Sequence, residues 1–539
     1  MNLIGKSLNK LIKYNNINFD NFDNKEDIRD IEFTKDYTKN INLIKERLGK
    51  SDDLSFRYFD ISTIPRTKAV VIYLDTLIDD NIFQTSVLNP LINSLAQKSE
   101  EERVYFKSNI NTLIKQTLSN SKISFITNLN KAIDQLLAGN GILLIDNTPY
   151  VVSLNISTVI SKDSTEPKTE KVVKGPQQGF VEDITPNCFM IRKRIKSPDL
   201  VFKTVNIGRV TNTELKVVYI DNIVNQSIVE ELLIRLNRID TDGPTGSASI
   251  EEYISDNPTN LFQTTFYTER PDRVQSLLLE GRIAIICDGT PFVIIVPSIV
   301  SDFFISMEDY YESPYFASFS RLLGYSGALV LTFLPAIYVA VTTFHQEVLP
   351  TELALTIAGA RSGVPYPAFV EAMIMEISFE TLRQAGTRLP THVGQAVSIV
   401  GALIIGQSAV EAGIVSSIVV IIVAMTAIFS FTMPYTNFVL SLRIVRFLML
   451  ILAAVLGIYG IMTGLLILSL NLVSLRSFGV PFMVPFAPTS FKEMKDVVLR
   501  MPQWAITERS NYIVKENVVK TRKNLKPSPP SDEERRYKP

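Results

Sequence analysis

The 539-residue sequence predicts an α/β cytoplasmic domain of two tandem related α/β subdomains, followed by an α-helical transmembrane domain of four to five spans. Three observations carry that expectation. Apolar segments of membrane length are confined to the stretch from Leu322 to Leu475. A strand, helix, strand, turn and return-strand pattern occurs twice before them. Composition changes at the same boundary, from Asn, Lys, Asp and Ile to Leu, Ile, Val, Ala and Gly.

Residues 1–50 read as a flexible polar arm with at most a short helix near Thr38 to Leu48. The first subdomain, 51–160, opens with a buried strand, Ala69 to Leu74, and a helix from Ile82 to Leu95 bent at Pro90. A second helix ends over Ala132 to Leu137. Strand Gly141 to Ile145, the turn Asp146-Asn147-Thr148-Pro149 and strand Tyr150 to Leu154 close the unit. Residues 161–212 form a charged bridging segment. Within it Arg192, Lys193 and Arg194 read as a solvated face, or alternatively as a contact for lipid headgroups or a subunit. The second subdomain, 213–315, repeats the pattern with Lys216 to Ile220, Gln226 to Leu236, Arg273 to Leu279, Ile283 to Ile286, the turn Asp288-Gly289-Thr290-Pro291, and Phe292 to Val296. The register marks are Tyr73 with Tyr219 and Asp146 with Asp288. Asp-Asn and Asp-Gly tolerate the positive φ of a hairpin, so both turns read as structural.

Asp309 to Phe316 (DYYESPYF) fits an aromatic belt where the chain meets the bilayer. The transmembrane domain, 322–475, begins with Leu322 to Phe344, which carries no charge. Val393 to Val410 is marginal and Gly-rich, and Ile414 to Met433 is clear. Phe447 to Leu472 is the strongest, at about 26 residues against the ~20 a crossing needs. No apolar h-region follows the first lysine, so the soluble part is expected to stay in the cytoplasm. The C-terminal tail, 476–539, is basic beyond Trp504 and prefers the inside, which favours four spans plus an embedded amphipathic helix over 366–385.

Chemistry concentrates beside the membrane. Glu376 and Glu380 share a helix face with Glu371 nearby, and intramembrane acids face a wet cavity or a basic partner. One reading is an interfacial helix with surface ion pairs; the other is an acidic vestibule that attracts cations. Gln395, Ser398, Gly401, Ile405 and Ser408 recur at helical spacing on the weakly apolar span. Such a stripe either packs helices closely or lines a pore. Other chemistries lack their residues. Cys188 and Cys287 make no disulfide framework, and His345 and His392 stand without a metal-ligand set. No nucleophile–base pair and no Gly-Lys-Ser loop occurs, so no catalytic residue and no cofactor is expected. A net charge of −1 gives nucleic acid no purchase. Sensing, conduction and solute transport remain.

Several runs resemble the A subunit of GerA-type spore germinant receptors. They include EPKTEKVVKGPQQGFVED (Glu166 to Asp183), IRKRI (Ile191 to Ile195), TERPDRV (Thr268 to Val274), LEGRIAI (Leu279 to Ile285) and DGTPF (Asp288 to Phe292). Further on come EDYY (Glu308 to Tyr311), LPTEL (Leu349 to Leu353), FETLRQAGTRLP (Phe379 to Pro390), VEAGIVS (Val410 to Ser416), RSFGVP (Arg476 to Pro481) and RMPQW (Arg500 to Trp504). The resemblance implies a nutrient-sensing receptor of the spore inner membrane. It further implies a transporter-like B subunit and a lipoprotein C subunit as partners. It also implies self-association into a ring that acts as a ligand-gated cation channel. A solute transporter subunit is the alternative.

Overall fold

The computed structural model describes residues 31–388 and 406–527, apart from 62, 64–65, 158–165, 522–524 and scattered positions between 93 and 122. Two compact units divide the chain, Met1–Ile160 with Ile195–Pro198, and Ser161–Arg194 with Asp199–Pro539.

The first unit is an antiparallel sheet with helices. Helix α1 (Tyr37–Leu48) is capped by Asp36, whose carboxylate accepts from the Lys39 amide, and it buries Ile41, Ile44 and Leu48. Strands β1 (Leu54–Ile61), β2 (Thr67–Leu74), β3 (Ile123–Ile126), β4 (Gly141–Ile145) and β5 (Val151–Leu154) lie in the order β1-β2-β4-β5-β3. Helix α2 (Leu129–Leu137) packs its apolar stripe of Ala132, Ile133, Leu136 and Leu137 into the core. Residues 31–50 thus belong to this unit, and Phe33 donates its amide to the Thr127 carbonyl at 2.9 Å. The polar arm expected over 1–50 therefore does not include 31–50, and its residues 1–30 lie outside the described residues. The helix expected over Ile82 to Leu95 is a wider coil, with π-helical turns Gln84–Leu88 and Pro90–Ser94. Pro90 has no N–H to close an α-helical turn.

The second unit starts with α3 (Ile184–Arg194), β6 (Leu200–Ile207), β7 (Thr213–Ile220), α4 (Gln226–Asn237) and α5 (Ser247–Ile254). It continues with β8 (Phe266–Thr268), α6 (Pro271–Leu279), β9 (Ile283–Cys287) and β10 (Val293–Val296), in the order β6-β7-β9-β10-β8. The two sheets match position by position. Ala69 pairs with Ile145 in one and Leu215 with Cys287 in the other. The Asp146 amide bonds the Lys68 carbonyl, and the Asp288 amide bonds that of Glu214. Asn147 at φ 61° and Gly289 at φ 82° then take the same left-handed turn position. Residues 161–212 are therefore not merely a bridge, because α3 and the edge strand β6 lie inside them. Nor is Arg192 solvated: it is buried, donates to the Leu200 carbonyl at 2.9 Å and lies over the Phe202 ring.

The helical part follows: α7 (Glu308–Tyr311), α8 (Pro314–Thr343), α9 (Thr351–Arg361), α10 (Ala368–Arg388), α11 (Ser417–Ser430), α12 (Thr436–Leu456) and α13 (Ile458–Ser474). Among the described residues α8 and α12 are long and apolar enough to cross a membrane, while α11 and α13 are apolar but shorter. The single strong span expected over Phe447 to Leu472 is two helices. They fold back on each other at Gly457, whose φ of 61° and ψ of −137° suit glycine alone. The helix expected to lie along the membrane is α10, which packs against α8, α11 and α12.

Direction follows from contacts at the helix ends. Helix α8 leads away from the second sheet. Helix α12 does too, since its start touches Phe262 and its end at Gly457 meets Phe344 and His345. Helices α10, α11 and α13 return: Phe431 at the end of α11 lies over Arg383, and Asn471 near the end of α13 bonds Asn260. Gly406 lies beside Val420 in the far turns of α11. The C-terminal segment is no free tail in its described part. Strands β11 (Arg476–Ser477) and β12 (Val480–Pro481) form a hairpin. Ser477 Oγ donates to the Thr264 carbonyl at 2.6 Å, and Val300 donates to the Phe482 carbonyl at 2.8 Å.

Candidate functional site: a buried ion-pair network between helices

Helices α10 and α12 present charge to each other. On α10, Glu376 and Glu380 are one turn apart; on α12, Arg443 and Arg446 are three residues apart, so each pair shares a face. Arg446 meets Glu376 at 2.9 Å and Glu380 at 3.8 Å, and Arg443 meets Glu380 at 3.3 Å. Glu376 and Arg446 are fully buried, so each requires the other, because a lone charge in an apolar bundle is costly. Arg383 adds a third cation, its guanidinium 5.2 Å from the Phe379 ring and 5.8 Å from that of Phe431. Further out along α10, the buried Glu371 accepts from Arg361 Nε at 3.1 Å and from the Ser416 amide at 3.0 Å. The second bond satisfies a free amide at the start of α11.

The same α12 is anchored in the second sheet unit. Phe438 packs against Phe262, Phe303 and Phe304, and Tyr435 stands edge-on to Phe266. Ser441 Oγ donates to the Leu261 carbonyl at 2.6 Å. Arg321 near the start of α8 pairs with Asp309 at 2.7 Å and with Asp496 of the C-terminal segment at 3.2 Å. Only part of the expected aromatic belt faces outward. Tyr310 donates to Asp496 and Tyr311 to Asp272, while Tyr315 and Phe316 are exposed. Burial pushes both hydrogen-bonded phenols above the usual tyrosine range.

A second carboxyl with an altered environment lies below the helices. Glu170 accepts from Thr268 Oγ1 at 2.9 Å and from the Glu269 amide at 3.2 Å. Burial outweighs these bonds and lifts its pKa to about 7. It lines a cavity of about 220 Å³ with Arg270, Asp309, Arg321 and the α11–α12 connection. The Cys287 thiol is likewise pushed up to about 11 by burial, which suits a core residue rather than a nucleophile.

The sequence-derived residues divide as follows. Gln395, Ser398, Gly401, Ile405 and His392 lie outside the described residues, and Ser408 is exposed near the end of that segment. Glu371 and Glu376 do not open to water; they face Arg361 and Arg446, the basic-partner arrangement, and only Glu380 is part exposed. Arg361, Arg443 and Arg446 had no place in the sequence-derived site. Two arginines at i and i+3 beside an apolar run, against two glutamates at i and i+4, were the available signal. Starting the span at Phe447 hid it. Among the described residues no cluster of metal-ligating groups occurs.

A family model described as the Bacillus/Clostridium GerA spore germination protein matches residues 42–512. Spore germination protein KA of Bacillus subtilis is 40% identical, covering 91% of this chain and 89% of that protein. The uncharacterized membrane protein YfkQ of Bacillus subtilis is 38% identical, over 93% of this chain and 94% of its own. Spore germination protein GerLA of Bacillus cereus is 34% identical, over 87% and 94%. Among solved structures, the N-terminal domain of the A subunit of the Bacillus megaterium spore germinant receptor GerK3 is 31% identical. It matches 50% of this chain and 97% of its own, with a TM-score of 0.40. The chain belongs to the GerA family of spore germination proteins, as an A-subunit-type member.

Proposed function

We propose that this chain is the A-type subunit of a nutrient-germinant receptor, a multi-pass protein of the spore inner membrane with its sheet units on the cytoplasmic side. It acts with a transporter-like B subunit and a lipoprotein C subunit. Copies associate in a ring whose opening releases cations, the segment carrying Gln395, Ser398, Gly401, Ile405 and Ser408 facing the axis. The observation that carries this reading is helix α12. Its first turns sit in the aromatic core of the second sheet unit, and its next two turns hold α10 by buried ion pairs. Movement in the soluble part reaches α10, and through it the segment that follows Arg388, by contacts that break discretely. An enzyme reading finds no support in a family of receptor subunits.

Spores carrying this chain as their sole A subunit provide the test. Replacing Ser398 or Gly401 by Phe should abolish cation release while the receptor still accumulates in the membrane. Parental ion release from such spores would remove that segment from the conduction path.

A further inference from the structure

We propose that the C-terminal segment around Phe491 to Trp504 is a membrane-interface anchor, laid with the first turns of α8 into lipid headgroups and upper acyl chains. The proposal rests on α8 being a membrane crossing. Tyr315, Phe319, Leu322, Leu329 and Ile337 are exposed and fall on one face of α8, forming an apolar stripe along its length. The other side of α8 is filled by α11 and α12. At the sheet end of that stripe the C-terminal segment is fixed in place. The Arg500 amide donates to Ser318 Oγ at 3.0 Å, and Arg500 Nη1 donates to the Glu312 carbonyl at 3.1 Å. Arg500 is itself buried, so its neighbours Leu499 and Met501 are held exposed beside Ser318 rather than swept about by a loose tail.

The exposed side chains have interfacial chemistry. Phe491 is 81% exposed and Tyr315 89%, a large cost in water for two aromatic rings. Trp504 is part exposed, with Lys526 Nζ 5.9 Å from its ring centre. Tryptophan and tyrosine favour the boundary between headgroup and hydrocarbon. Lys495 is exposed on the same segment and complements anionic headgroups, while the exposed Lys492 pairs with Glu508 at 3.5 Å. A lipid surface accounts for the continuity with the α8 stripe, since one medium then covers both. The same segment also bonds the second sheet unit, through Asp496 to Tyr310 and Arg509 to the Leu279 carbonyl. Anchoring it sets that unit's height above the bilayer.

The chain contains one tryptophan, Trp504, so its emission reports this segment without engineering. The full chain is reconstituted in phosphatidylcholine–phosphatidylglycerol vesicles whose acyl chains carry bromine either high or near the terminal methyl. Trp504 should lose most of its emission to the high bromine, lose less to the deep one, and resist iodide. A second chain, Phe491→Trp with Trp504→Phe, should behave alike. A third, Leu329→Trp with Trp504→Phe, should be quenched by the deep bromine. If Leu329→Trp is quenched and Trp504 yields to iodide but not to lipid bromine, the anchor is wrong while the crossing stands. Shielding of Trp504 from both quenchers would also overturn it, because protein then covers the surface. If Leu329→Trp escapes the bromine, the crossing fails and the anchor with it.

Discussion

Glu376 and Arg446 are buried at 2.9 Å from each other, and removing either leaves a charge with no solvent to receive it. Glu376→Gln or Arg446→Met should therefore cost about 3–5 kcal/mol of stability, whereas replacing both by apolar residues of similar volume should recover most of that loss. Thermal unfolding of the detergent-solubilised chain and the two single and one double variants measures it; additive losses would mean that the pair does not interact. At Glu170 the sign is different. Its folded pKa, about 7, lies above the ordinary carboxylate value because the buried site favours the protonated form. The folded state then holds a proton that the unfolded state has released. The contribution to stability is fully present below the unfolded pKa and is lost as pH rises through about 7. Glu170→Gln should flatten the fall in unfolding temperature between pH 5 and pH 8. An unchanged slope in that variant assigns the dependence to another group.

The α12–α13 hairpin shows what an element can hide. Residues Phe447 to Leu472 are uniformly apolar, and hydropathy alone runs them together. The break is backbone chemistry: Gly457 has a conformation closed to L side chains, and a Cβ there would lie 2.8 Å from His345 Cε1. Packing adds the second constraint. A Cβ on Gly460 would lie 2.0 Å from the Leu452 carbonyl oxygen, while one on Gly464 would meet the flexible Met449 thioether. Gly460→Ala should therefore destabilise clearly, although alanine favours an isolated helix by about 1 kcal/mol. Gly464→Ala should cost less, because methionine can move. Reversal of that order in thermal melts would show that the helices do not cross there. The repeated turns at Asp146 and Asp288 were legible because Asp-Asn and Asp-Gly carry their conformation locally. Edge strands β1 and β6 were not, since they are buried along only part of their length and lack a strong pattern. Ion pairing between α10 and α12 was legible only as two separate charge spacings: its partners lie far apart in sequence, and local spacing reports only one side of each pair.

At the scale of the whole chain, the C-terminal segment decides the topology. Ser477, Phe482, Asp496 and Arg509 all bond the second sheet unit, so after α13 the chain returns to the unit it left at α8. An even number of passes follows if α8 to α13 sit in a bilayer. Helices α8 and α12 lead away from the sheet, and α10, α11 and α13 return. Among the described residues α8 and α12 are long and apolar enough to cross a membrane, and α10, α11 and α13 pack beside them. Cys188 and Cys287 are both buried, so single introduced cysteines can be read against a silent background. Val210→Cys on the β6–β7 turn and Glu516→Cys on the C-terminal segment should react with an impermeant maleimide only after protoplasts are permeabilised. Val348→Cys, between α8 and α9, should react in sealed protoplasts, since that connection lies at the far end of the helices. Opposite labelling of Val210→Cys and Glu516→Cys would require an odd number of passes. It would also mean that the packing of the C-terminal segment on the second sheet does not exist in the membrane.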